Sequence, residues 1–187
     1  EAPDVILIGE IRDRETMQAA LDLAGTGHLA IATLHSNNAP ETLDRIINLF
    51  PEDQHAQVYM DLCHYLRAII SQRLVRGVNG DRAAAVEVML NTPRIAELIL
   101  TGNIPKVKEA FHDTTEQSMQ TFDQALLRLH RDGKITMEVV TANWTRELTL
   151  EQWTRGKKMS LVRILTPLKE KVRRRCGPIW TCGTTFR

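Results

Sequence analysis

The chain predicts an α/β domain with parallel strands, followed by a helical region, on three observations. A continuous apolar run over residues 5–9 reads as a strand buried on both faces, and residues 29–34 as a second buried strand. Between them, residues 14–24 place Met17, Ala20, Leu21 and Ala24 on one face of a helix. A second helical pattern over residues 39–49 follows the second run at once. Strand–helix–strand–helix over fifty residues is the alternation of a parallel sheet.

The elements follow in order. The first strand ends in Gly9-Glu10, and the first helix stops at Gly25-Thr26-Gly27. His35 stands just past the second strand, and Asn38 or Ser36 is available to cap the second helix. Pro51 sits at a helix start, and an apolar-periodic segment through Val58, Leu62, Leu66, Ile69 and Ile70 predicts a helix running to about Leu74. Residues 77–80 form a turn and 83–90 a strand. Thr92-Pro93 is a cap with proline in the first helical position, opening a helix to Leu100 that Gly102 closes. Residues 104–111 and 119–130 are further helices, the latter ending at Asp132-Gly133. The expected division is a core over 1–90, a helical subdomain over 91–154 and a basic tail over 155–187.

Composition is that of a globular protein, and no stretch approaches the roughly 18–20 apolar residues of a membrane span. The near-neutral total hides an asymmetry. Residues 1–154 hold 14 Lys and Arg against 22 Asp and Glu, a net of −8, whereas 155–187 hold 10 against the single acid Glu170, a net of +9. That tail lacks interleaved aromatics and any apolar period, so it reads as disordered or non-native and not as a nucleic-acid surface. Three cysteines, Cys63, Cys176 and Cys182, make no disulfide framework and fit a reducing cytosol. Cys63-His64 reads as packing plus surface, Trp144 and Trp153 as core or interface contacts, and Met17, Met60 and Met89 as apolar filler.

The chemistry belongs at the carboxyl ends of the strands, where sites form in such sheets. Glu10 and His35 both lie there. A carboxylate on a rigid strand end can orient or deprotonate a water and accept from the hydration shell of Mg²⁺; the plainer alternative is an acid that caps the next helix. Arg12-Asp13 and the second strand favour the functional reading. His28 and His35 are seven residues apart with no cysteine or further histidine nearby, a poor zinc spacing. A neutral imidazole at a strand end can instead donate to a phosphate or report its presence.

The run Asp4-Val5-Ile6-Leu7-Ile8-Gly9-Glu10-Ile11-Arg12-Asp13 resembles the Walker B box of the type II/type IV secretion ATPases. Gly27-His28-Leu29, continuing through Ala32-Thr33-Leu34-His35-Ser36-Asn37, resembles the His box of the same family. Asp44-Arg45-Ile46-Ile47-Asn48-Leu49-Phe50-Pro51-Glu52 is the form seen in the pilus retraction ATPases, the PilT/PilU group. Gln120-Thr121-Phe122-Asp123-Gln124 and Asp132-Gly133-Lys134-Ile135 look closer to PilU. The resemblance covers roughly residues 1–140.

It implies the C-terminal part of a RecA-like P-loop NTPase core, assembling as a homo-hexamer or as a mixed ring with a paralogous retraction ATPase. The expected location is the cytoplasmic face of the inner membrane at the pilus base, against a membrane platform protein. ATP with Mg²⁺ would be hydrolysed to drive retraction and twitching motility, with no nucleic-acid partner. By position, Glu10 and His35 are the catalytic pair, with Glu10 also meeting Mg²⁺ through water. Glu10, His28 and Gly27 are expected at the nucleotide, and Arg12, Asp13 and Arg45 in structural or interface contacts.

The chain also departs from the family. Gly25 stands where the family usually has an acid, and residues 93–102 only partly follow the PilT retraction motif. Assembly and secretion ATPases carry a four-cysteine zinc module after the His box, and no such cysteine pairs occur. No Gly-x-x-x-x-Gly-Lys-Ser/Thr run, the loop whose backbone N–H groups cradle phosphates, occurs in the 187 residues. The imitation at residues 177–185 lacks the lysine and has one residue too many between its glycines. The expectation is that this loop lies upstream of Glu1 and that the chain alone is inactive. The alternatives are a non-catalytic partial paralogue that docks into a complete ATPase ring, or a piece of a secretion or pilus assembly ATPase.

Overall fold

A computed structural model of the chain describes residues 3–113 and 118–144. The basic tail, Trp153, Cys176 and Cys182 lie outside the described residues. Strand β1 (Val5–Ile8) passes through helix α1 (Arg14–Gly25) to β2 (Leu29–Ala32), and the two strands pair in parallel with Val5 opposite Leu29 and Ile8 opposite Ala32. Asp13 starts α1, its carboxylate accepting the Thr16 N–H at 2.8 Å. Asn38 starts α2 (Ala39–Asn48) by accepting the Glu41 N–H at 2.8 Å. Each cap satisfies one of the orphan donors of a first helical turn.

Both strands differ from the sequence expectation of burial. Leu7 is 75% and Ile31 46% exposed, and they are register partners on one face together with Val5 and Leu29. Ile8 packs against the core from the other face. Helix α1 lies against β2, and no described element covers the opposite side. An unbroken apolar run is the composition of a strand meant to be covered twice; within the described residues only one cover is present.

The helix expected to run to Leu74 ends much earlier. After a 3₁₀ turn (Glu52–Gln54), α3 spans His55–Tyr65, and the chain then enters β3 (Ala68–Arg76). Strand β4 (Arg82–Leu90) pairs antiparallel with it over nine residues, from Ala68 opposite Leu90 to Arg76 opposite Arg82. The side chain of Asn91 donates to the carbonyls of Cys63 at 3.0 Å and Leu66 at 3.1 Å, satisfying acceptors that the end of α3 leaves free.

Helices α4 (Pro93–Leu100), α5 (Ile104–His112), α6 (Phe122–Arg131) and α7 (Met137–Ala142) complete the fold. Thr92 caps α4 as its sequence predicts, and α6 carries a full capping box of Thr121 and Gln124. Leu43, Leu62, Met89, Ile99 and Phe111 anchor the larger core, which gathers α1 to α5 around the base of the hairpin. A second cluster of Val75, Ala85, Phe122, Leu126, Ile135 and Val140 joins the hairpin to α6 and α7, with Trp144 against it. Met17 and Met89 are buried, whereas Met60 is 47% exposed and fills nothing. Among the described residues no helix is long and apolar enough to cross a membrane.

Candidate functional site

Parallel pairing carries the chain past both strand ends in step. The Ile11 N–H donates to the Thr33 carbonyl at 2.9 Å, and the Thr33 hydroxyl donates to the Gly9 carbonyl. Glu10 and His35 are thereby held on adjacent segments. His35 Nε2 lies 3.1 Å from Glu10 Oε1, and Arg12 Nη2 lies 2.6 Å from Glu10 Oε2. A carboxylate only accepts, so the His35 proton facing it is on Nε2, leaving Nδ1 for another partner.

The hydrogen bond from Arg12 holds the Glu10 carboxyl below its ordinary range, helped by the positive charges of Arg12, His35 and Arg45 and opposed by partial desolvation. The same contact holds the Arg12 guanidinium protonated more firmly. Glu10 is therefore an anion across neutral pH, one-quarter exposed beside a largely exposed imidazole. Asp13 is engaged elsewhere, its carboxyl held low by the Thr16 N–H that it caps.

His28 and Gly27 stand apart from this pair. They precede β2, where the Leu29 N–H donates to the Asp4 carbonyl, so the length of the strand separates them from Glu10 and His35. His28 Nδ1 lies 3.2 Å from the Leu23 carbonyl and 3.0 Å from Thr26 Oγ1. The carbonyl can only accept, so its contact with the ring is a hydrogen bond when Nδ1 carries a proton. Gly27 has φ +93°, a left-handed turn that only glycine adopts without strain, and it directs the chain from α1 into β2.

Residues 36–39 lead from His35 into α2 through a set of polar contacts. Ser36 Oγ and Thr42 Oγ1 are 2.6 Å apart, and the Asn37 side chain donates to Glu41 at 3.1 Å. Two distant residues also reach this turn. Arg73 on β3 donates from Nε and Nη2 to the Asn37 carbonyl at 3.1 and 2.9 Å, and Glu87 on β4 accepts the Ala39 N–H at 2.7 Å. Sequence reasoning missed both. The available signal was Glu87 itself, an acid in the middle of an apolar strand.

Glu10 suits an outer-sphere role toward a hydrated cation. A carboxylate offers about four lone-pair sites, and Arg12 and His35 take one on each oxygen. Among the described residues no group of three or more His, Cys, Asp or Glu could cage a metal directly. A phosphate-cradling loop is likewise not among the 187 residues.

The fold is α/β with a parallel strand pair, and comparison with known proteins narrows the class. Residues 1–94 match the family described as Type II/IV secretion system protein, and the chain belongs to that family. It is 53% identical over 144 residues to the type IV pilus ATPase PilU of Pseudomonas aeruginosa, covering 76% of this chain and 38% of the relative. It is 41% identical over 138 residues to the type IV pilus retractation ATPase PilT of the same organism, covering 74% and 40%. A crystal structure of the pilus retraction motor PilT with bound ADP superimposes with TM-score 0.70 at 39% identity, over 80% of this chain and 42% of that one. The chain thus spans about two-fifths of the length of these relatives.

Proposed function

We propose that this chain carries the water-activating part of an ATP-hydrolysing subunit of a type IV pilus retraction motor, on the PilU side of the group. The observation that carries the reading is the 3.1 Å contact between Glu10 and His35 at the carboxyl ends of parallel strands. Its likeness to PilU and PilT, and to a PilT structure holding ADP, supports the nucleotide and the motor role.

In this reading ATP supplies the phosphoryl group, and Mg²⁺, met by Glu10 through water, offsets its charge. Glu10, kept ionised by Arg12, orients a water and accepts its proton. The carboxylate fixes which nitrogen of His35 is protonated, so that the ring presents Nδ1 as an acceptor. His28 and Gly27, at the far end of β2, serve a nucleotide contact that the Glu10 pair does not share. Arg12, Asp13 and Arg45 are structural or interface residues. Subunits form a homo-hexamer or a mixed ring with a paralogous retraction ATPase. The ring acts in the cytoplasm at the inner-membrane base of the pilus, against its platform protein. The division into a core (1–90), a helical subdomain (91–154) and a basic tail (155–187) belongs to the same proposal.

The test is a chimera in which residues 3–144 replace the matching segment of PilU. Glu10→Gln should abolish ATP turnover while leaving nucleotide binding within about twofold, because only an interaction made in the transition state is removed. Undiminished turnover in that variant would overturn the role given to Glu10.

A further inference from the structure

We infer that Arg73 and Glu87 are positioning residues for His35, gripping from the β3/β4 hairpin the turn that carries its imidazole to Glu10. The inference rests on the reading of His35 as the partner of Glu10 in the site. His35 is 81% exposed at its side chain, so packing does little to fix it. Its backbone is held on one side by Thr33, bonded to Ile11 and Gly9, and on the other by contacts two to four residues on. Arg73 places two N–H groups on the Asn37 carbonyl, and its guanidinium sits 4.3 Å from the centre of the Phe122 ring. Glu87, 3% exposed, accepts from the first N–H of α2 at Ala39. This buried carboxylate sits at the start of α2, with Arg73 as its nearby positive charge and Asp123 as its negative neighbour.

These contacts are more than α2 needs to form. The helix already has Asn38 as its cap and Pro40 in its first turn. Burying a carboxylate costs desolvation that an apolar residue of like size would not incur. What the pair adds is a fixed distance between the His35 turn and the hairpin. A shift of β3/β4 or α6 against β1/β2 would accordingly be felt as a displacement of the imidazole from Glu10.

The test is NMR on the 187-residue chain, with a nuclear Overhauser contact between the His35 ring and the Glu10 side chain as its signature. Arg73→Ala and Glu87→Ala should each remove that contact, and Glu87→Ala should also speed exchange of the Ala39 amide about tenfold or more, the effect of losing a charge-assisted hydrogen bond. Arg76→Ala, at the far end of β3, should change neither. Retention of the His35–Glu10 contact in both alanine variants would overturn the inference. Should those variants fail to fold, Arg73→Lys and Glu87→Gln each keep one donor or acceptor and should weaken the contact only in part. An unchanged Ala39 exchange rate in Glu87→Gln would likewise overturn it. The PilU chimera separates this inference from the reading beneath it. A loosened turn with unchanged ATP turnover would leave positioning intact and remove His35 from the chemistry.

Discussion

Glu10 Oε1 and His35 Nε2 meet at 3.1 Å across the ends of two parallel strands, with the opposite carboxylate oxygen taken by Arg12. The carboxylate is thus held between a guanidinium and an imidazole on a surface edge, and its ionisation depends on both. Because the Arg12 hydrogen bond is the largest influence, Arg12→Ala should raise the Glu10 titration midpoint further than His35→Ala does. A lowered carboxyl stabilises the fold fully above its ordinary value, and the contribution fades as pH falls through the lowered one. Arg12→Ala should therefore flatten the loss of stability as pH falls below the ordinary carboxyl value of 4.5. Carboxyl ¹³C shifts and urea melts across that window would check both statements, and equal midpoints in the two variants would refute the ranking.

The 187-residue chain on its own should hydrolyse ATP no faster than background in the presence of Mg²⁺. Glu10 is in place, but the backbone N–H cradle and lysine that hold phosphates are not among these residues. Turnover by the isolated chain that disappears in Glu10→Gln would show that another part of the surface binds the phosphates.

The pairing of Glu10 with His35 was legible because parallel strands bring their carboxyl ends to one edge, and both residues follow strand-like runs. Asn38 and Thr92 were legible as caps for the same local reason. The separation of His28 from Glu10 follows from the same topology, since His28 precedes the strand that His35 follows. The hairpin was misread because Leu66, Ile69, Ile70 and Leu74 satisfy a helical period. The competing signal was the turn at 77–80, with a strand after it that needed a partner of equal length before it. Alternate burial of Ile69, Ser71 and Val75 is the period-two pattern that tertiary packing selected. Arg73 and Glu87 could not be assigned from local pattern, because their partners at Asn37 and Ala39 lie far away in the chain.

Burial pushes the Glu87 carboxyl above its ordinary value of 4.5, against the pull of the Ala39 and Phe122 N–H groups and of Arg73, and with repulsion from Asp123 adding to the rise. A raised carboxyl contributes most below its ordinary value, and that contribution is lost as pH climbs through the raised one. Stability should accordingly fall over that window in the parent chain, and Glu87→Gln should remove this component because an amide does not titrate. Glu87→Ala should be worse at every pH, by about 1–3 kcal/mol, since it leaves the buried Ala39 N–H without its acceptor. Denaturant melts at several pH values would decide, and equal losses for Gln and Ala would rule out the acceptor role.

Leu43 and Leu7 provide a paired test of where the core lies. Leu43 is fully buried in α2, whereas Leu7 lies three-quarters exposed on the open face of β1. Leu43→Ala should cost about 2–5 kcal/mol through lost burial and the cavity left behind. Leu7→Ala should change stability by no more than about 0.5 kcal/mol. A large loss at Leu7 in the isolated chain would mean that the open face is covered in solution, with self-association measured by sedimentation as the first explanation to examine.

Gly102 closes α4 at φ +67°, and a Cβ placed there would stand 3.1 Å from Tyr59 Cε2 on the neighbouring α3. Gly133 closes α6 at φ +71° with open space around it. Alanine at either position meets the same backbone penalty, about 1–2 kcal/mol for an L-residue in the left-handed region. Only at Gly102 must a ring also move, and Tyr59 is partly buried against the core, so the displacement disturbs packing. Gly102→Ala should therefore be the more damaging of the two in denaturant melts. Its excess over Gly133→Ala should vanish when both glycine variants are remade in a Tyr59→Ala background, since contacting residues couple and distant ones add. An excess that survives loss of the tyrosine ring would place the penalty in the backbone of the α4–α5 turn, not in its contact with α3.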